Sequence, residues 1–149
     1  METLFEPAAT SKILSRIENL KPDTKALWGK MNVAQMLAHC EVPIEVGLGD
    51  KKYKRAFIGR IFGNIAKKGF LKDKPFGKNL PTDKHFLMTD EKNFEEEKNK
   101  LINLVKRFAS VGLLGITTEP HPFFGKMTPE EWGLLTWKHL DHHLTQFGV

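Results

Sequence analysis

Thr128-Pro-Glu-Glu-Trp-Gly-Leu-Leu-Thr-Trp-Lys-His-Leu-Asp-His-His-Leu-Thr-Gln146 starts as a helix should and keeps a helical pattern to its end. Thr128 supplies an N-cap, Pro129 a first-turn residue with no N–H to waste, and Glu131 the return half of a capping box. Trp132, Leu135, Thr136, His139, His143 and Gln146 fall on one face, and Leu134, Trp137 and Leu144 on the other. A helix apolar on both sides is buried, so the histidine face is predicted to point inward. His139 and His143 are one turn apart and face the same way, about 40° from each other, whereas His142 lies about 60° from His139 on the other side. Buried imidazoles need partners. Two stacked inside a bundle favour a shared cation.

Working outward, three further main helices are expected. Thr10 or Ser11 opens one that carries Ile13, Leu14, Ile17 and Leu20 and stops before Pro22. Asn32 and Gln35 form a second capping box, and the helix behind it places Val33, Met36, Leu37, Cys40 and Ile44 on one stripe before Gly47 to Gly49. Pro43 inside it cannot donate to the His39 carbonyl, so a kink, or an early end, is expected. Asp90 is the expected cap of a helix to about Ser110, with Phe94, Leu101, Ile102, Val105 and Phe108 as its apolar positions. A shorter helix over 55–68 gathers Phe57, Ile58, Ile61, Phe62 and Ile65 on one side. Residues 69–88 and 117–126, rich in proline and glycine, read as loops. The expected fold is all-α: a four-helix bundle in one domain, residues 1–149, with an additional short helix and long loops.

Composition excludes several classes. The chain is 40% hydrophobic and 28% charged, an ordinary globular balance. No apolar run approaches the roughly 20 residues a membrane span needs. The acidic start, Met-Glu-Thr-Leu-Phe-Glu, lacks a secretory pattern, and the single Cys40 excludes an internal disulfide framework. A cytoplasmic protein without a membrane partner is the expectation. The net charge of +5 is concentrated: residues 51–78 hold ten Lys or Arg and one acid, Asp73. Such a segment could receive an anionic ligand or nucleic acid. Its aromatics, Tyr53, Phe57, Phe62, Phe70 and Phe76, mostly sit at helical apolar spacing, so they read as core and nucleic-acid binding is disfavoured.

Two histidines rarely hold a metal alone, and His39, flanking the apolar stripe of its own helix, is the best third ligand. Three neutral histidines leave a coordination position open, the catalytic pattern for zinc. Nickel and iron also accept imidazole ligands. His142, Gln146, Trp132 and His121 are candidates to line the pocket or support the ligands, and the loop residue His85 is a weaker one. Glu130, Glu131 and Asp141 project off the His139/His143 face, so no carboxylate base is expected there. Cys40 points about 100° from His39 and reads as core.

Trp28-Gly-Lys-Met-Asn-Val-Ala-Gln-Met-Leu-Ala-His39, together with His139-Leu-Asp-His-His143-Leu-Thr-Gln-Phe, resembles the DinB/YfiT-like metalloenzyme superfamily. His121-Pro-Phe-Phe-Gly-Lys-Met-Thr-Pro-Glu-Glu-Trp132 is similar to a branch described as a domain of unknown function. The resemblance covers nearly the whole chain. It implies a four-helix bundle with one metal-binding histidine from the second helix and two, four apart, from the last; by position these are His39, His139 and His143. It further implies a divalent ion, zinc or nickel, activity on low-molecular-weight thiols such as S-transfer, and a homodimer. The rival readings are a non-catalytic metal or small-molecule binding protein and a metal-dependent hydrolase.

Overall fold

The structure is a computed structural model that describes residues 1–149. The helices are α1 (Pro7–Glu18), α2 (Val33–Gly47), α3 (Phe57–Phe70), α4 (Phe94–Val111) and α5 (Pro129–Gln146), with single 3-10 turns at Lys84–Phe86 and Leu113–Gly115 and no strand. Helix α2 packs against α4 and α5, and α1 packs against the same two. These four helices make the bundle, as the apolar periodicity requires. Ile13, Ile17, Met36, Leu37, Leu101, Val105, Phe108, Trp132 and Leu140 fill its centre. Between α2 and α4, Lys100 Nζ lies 2.5 Å from Glu41 Oε2, and burial pushes the Glu41 carboxyl up to about 8. No helix is long and apolar enough to cross a membrane.

Both expected capping boxes form. Asn32 Oδ1 accepts from the Gln35 N–H at 2.8 Å while Gln35 Oε1 accepts from the Asn32 N–H at 3.0 Å. Thr128 and Glu131 exchange the same pair of bonds at 3.2 and 2.9 Å. Each box satisfies two N–H groups that the first turn leaves without carbonyls.

Two helix starts differ from expectation. Helix α1 begins at Pro7, not at Thr10 or Ser11. Proline at the first position has the φ that the helix wants and loses no bond there. The Thr10 hydroxyl instead donates to the Leu4 carbonyl at 2.7 Å, tying down the preceding segment. Helix α4 is capped by Asn93, whose side chain accepts from the Glu96 N–H, and not by Asp90. The run Glu95, Glu96 and Glu97 then places negative charge at the positive end of the helix dipole. Helix α2 continues through Pro43 to Gly47, so the missing N–H does not end it.

The larger correction concerns α3. As expected it is an additional helix outside the four-helix bundle, but it spans 57–70 rather than 55–68. Its inward side is made of small residues: a Cβ on Gly59 or Gly63 would collide with the Phe123 carbonyl. The backbone of the 121–124 turn therefore approaches α3 where only glycine leaves room. Phe57, Ile58, Ile61, Phe62 and Ile65 consequently point to solvent, and Phe57 is 77% exposed. Reading Phe57 and Phe62 as core was wrong because periodicity reports that a helix has an apolar face, not which face docks.

Candidate metal centre

His39 comes from the middle of α2, and His139 and His143 from the last turns of α5. Adjacent packing of these helices brings the three rings together. Ring centroids are 4.8 Å apart for His39–His139, and 4.6 Å for both His39–His143 and His139–His143. One nitrogen from each lies within 4.8 Å of the other two.

The partners of the far ring nitrogens settle which atoms are available. His39 Nδ1 is 2.7 Å from the Phe86 carbonyl, an acceptor, so Nδ1 carries the hydrogen and Nε2 keeps its lone pair. His143 Nδ1 is 2.7 Å from Gln146 Oε1. The Gln146 amide is itself oriented, because its Nε2 donates to the Trp28 carbonyl at 2.6 Å. His143 therefore also donates from Nδ1 and keeps its lone pair on Nε2. Such outer partners fix imidazole orientation in metal sites. His39 Nε2 stands 3.0 Å from His139 Nε2.

Burial favours the neutral form of every ring. It holds His143 down to about 3, with His39 adding to the effect. His139 is held well below the usual imidazole range by burial and then by its histidine neighbours. His39 is lowered by the same burial, partly offset by its bond to Phe86. Neutral imidazole is the form that binds a metal.

Three tests of fit agree. Nitrogens sharing a tetrahedral ion at about 2.1 Å are about 3.4 Å apart, close to the 3.0 Å between His39 Nε2 and His139 Nε2 and inside the 4.8 Å that bounds all three. His139 Nδ1, Thr136 Oγ1 and Trp132 Nε1, all on the predicted inward face of α5, are buried without a protein partner. Buried polar atoms of this kind mark a place where a water, ion or ligand belongs. The donor set, three neutral nitrogens with no carboxylate, suits zinc, nickel or iron rather than calcium or magnesium.

The supporting candidates divide. Gln146 holds His143. His142 turns away to line a cavity of about 720 Å³ with Trp28, Phe76, Lys78 and Asp141, while its ring still lies 5.0 Å from that of His143. Trp132 is 1% exposed and stacks near His121, ring centroids 5.2 Å apart. His121 is not among the three converging rings. Its Nδ1 accepts from the N–H groups of Phe123 and Phe124, so it organises the turn that α3 rests on. His85 pairs with Asp83 at 2.6 Å and stacks on Tyr53. As expected, the acids stay off the site: Glu131 caps α5 and Asp141 pairs with Arg16 at 2.6 Å. Cys40 is buried, its thiol pushed up by desolvation.

Sequence reasoning missed the two backbone acceptors. The Phe86 carbonyl belongs to a loop that carries no pattern. The Trp28 carbonyl was within reach of inference, because Trp28-Gly29 precedes the α2 capping box and Gly29 has φ +86°.

Comparison with protein families matches residues 5–148 to one described as "Protein of unknown function (DUF1569)". No curated protein and no solved structure matches the chain.

Proposed function

The chain belongs to the DUF1569 family, proteins of unknown function, and we propose that it is a metal-dependent enzyme whose divalent ion is held by His39, His139 and His143. The observation that carries this is the pair of outer acceptors, Phe86 carbonyl and Gln146 Oε1, which leave the lone pairs of His39 and His143 on Nε2, with His39 Nε2 in hydrogen-bond contact with His139 Nε2. An ion bound there would keep a coordination position open and supply Lewis acidity, favouring the thiolate form of a bound thiol. Zinc or nickel fits the ligand set best. The resemblance to DinB/YfiT-like proteins supports S-transfer on a low-molecular-weight thiol, and with it a homodimer. The cavity beside His142 suits such a molecule if it is zwitterionic: Lys74 and Lys78 line it together with Glu2, Glu6, Asp73 and Asp141. Trp28 and Phe76 add apolar surface to the same wall.

A second reading, a non-catalytic metal protein, is favoured by one fact: His39, His139 and His143 do not themselves line that cavity. Metal analysis of the wild type beside His39→Ala, His139→Ala, His143→Ala and His142→Ala tests the site. The wild type and His142→Ala should hold one divalent ion per chain and the other three little or none. Equal metal in all five proteins would refute the site. Turnover of thiols with electrophiles by the loaded wild type, absent after chelation, separates enzyme from binding protein.

A further inference from the structure

Helix α3 has two faces of different apolar character. At about 100° per residue, Gly59, Gly63, Ala66 and Phe70 share an arc about 60° wide, and Phe57, Ile58, Ile61, Phe62 and Ile65 share a second arc of about 140°. The first arc meets the rest of the protein, through the Phe123 carbonyl at the two glycines and through the ring of Phe124, 5.2 Å from that of Phe70. The second faces mainly solvent. Its five residues are 54–77% exposed, on a protein whose other large apolar side chains mostly lie inside. A contiguous apolar surface of this kind marks an interaction site.

The charge around this face selects its occupant. By the same angular reckoning Lys68 falls just inside the Phe57 edge of the outward arc and Arg60 about 60° beyond that same edge. Lys54 precedes the helix and Lys72 and Lys74 follow it, and all five of these cations are exposed. None takes part in an ion pair. Three of the acids that other elements bring to the segment are already engaged: Glu45 with Lys51, Glu119 with Lys52 and Glu131 with Lys67. A second copy docked face to face would set these unpaired cations against their own duplicates, with Asp73 the one acid in the segment to offset them. An occupant that is apolar at its centre and anionic at its rim meets both requirements.

We infer that α3 is a membrane-surface helix, docking its Phe57–Ile65 face into the interfacial layer of an anionic lipid bilayer while the flanking lysines and arginines contact lipid headgroups. A helix rich in Lys and Arg on one side and Phe and Ile on the other lies in the plane of the interface and needs no spanning segment. The glycine side of α3 stays on the protein, so docking requires no unfolding of the bundle.

Co-sedimentation of the full chain with vesicles tests this. Vesicles of phosphatidylcholine containing about 30% phosphatidylserine should bind at least ~10-fold more protein than phosphatidylcholine alone, because headgroup charge supplies the attraction. Raising salt from about 0.05 to about 0.5 M should release most of it, since screening shortens the reach of the cations. The Ile58→Glu/Ile61→Glu variant changes exposed positions only, so it should fold normally and lose vesicle binding. Arg60→Gln/Lys68→Gln should bind less and respond less to salt. Failure of the wild type to bind serine-containing vesicles overturns the proposal. So does an Ile58→Glu/Ile61→Glu variant that binds as well as wild type. A wild type that ignores vesicles but dimerises in sedimentation velocity, with the dimer lost in that variant, would assign the face to a second copy instead.

Discussion

Gln146 and His143 are joined by a 2.7 Å hydrogen bond in which the amide oxygen accepts from the ring Nδ1. Gln146 is three residues beyond His143 on α5, so the last turn of the helix carries both a candidate ligand and the group that aims it. Replacing Gln146 by Leu should keep the helix and lower metal affinity by about 10- to 100-fold, the usual cost of an outer-shell partner. Gln146→Glu keeps an acceptor and should retain more affinity than Gln146→Leu. Competition with a chromophoric chelator measures both.

Gly29 is the hidden member of the same relay. Its φ is +86°, and a Cβ there would sit 2.5 Å from Gln146 Nε2. Gly29→Ala therefore meets two penalties, backbone strain of roughly 1 kcal/mol or more and displacement of the amide. The variant should melt at a lower temperature and bind metal more weakly, with His143 losing its fixed tautomer. Thermal melts with and without metal separate the two effects.

Metal should stabilise the fold, because the unfolded chain does not hold the three rings together. At a free metal concentration about 100 times Kd, the gain is about 2.7 kcal/mol. Chelation should lower Tm of the wild type, and the shift should vanish in His139→Ala. An unchanged Tm in the wild type would count against a specific site.

Acid should destabilise the protein through His121. Burial lowers this ring to about 4, whereas in the unfolded chain it titrates near its ordinary value of 6.5. Between those values the unfolded chain takes up a proton that the folded one refuses. The contribution is thus fully present above about pH 6.5 and is lost as pH falls toward about 4, in total about 3 kcal/mol. Denaturant midpoints across that range should fall for wild type and fall less steeply for His121→Asn.

Much of this was written in local patterns. The capping boxes at Asn32 and Thr128 set two helix starts to the residue, because a cap is a contact within four residues. His139 and His143 were legible for the same reason: one turn of helix relates them. His39 required packing between α2 and α5, and it emerged from the need for a third ligand rather than from spacing. What stayed hidden was long-range. The Phe86 carbonyl reaches His39 across 47 positions of chain. The docking side of α3 was set by the backbone of the 121–124 turn, which no apolar count registers. The start of α4 depended on a choice between Asp90 and Asn93, two competent caps three residues apart.

The Phe86–His39 hydrogen bond also gives the candidate metal centre a thermodynamic partner. The chain leaves α2 after Gly47, makes the whole of α3, and comes back at Phe86 to orient a histidine of the helix it left. Docking of that excursion and readiness of His39 are one equilibrium, so whatever favours either must favour the other by the same factor. An ion at the three histidines would slow hydrogen exchange in residues 84–88. A ligand that held the excursion in place would in turn tighten the grip on the ion.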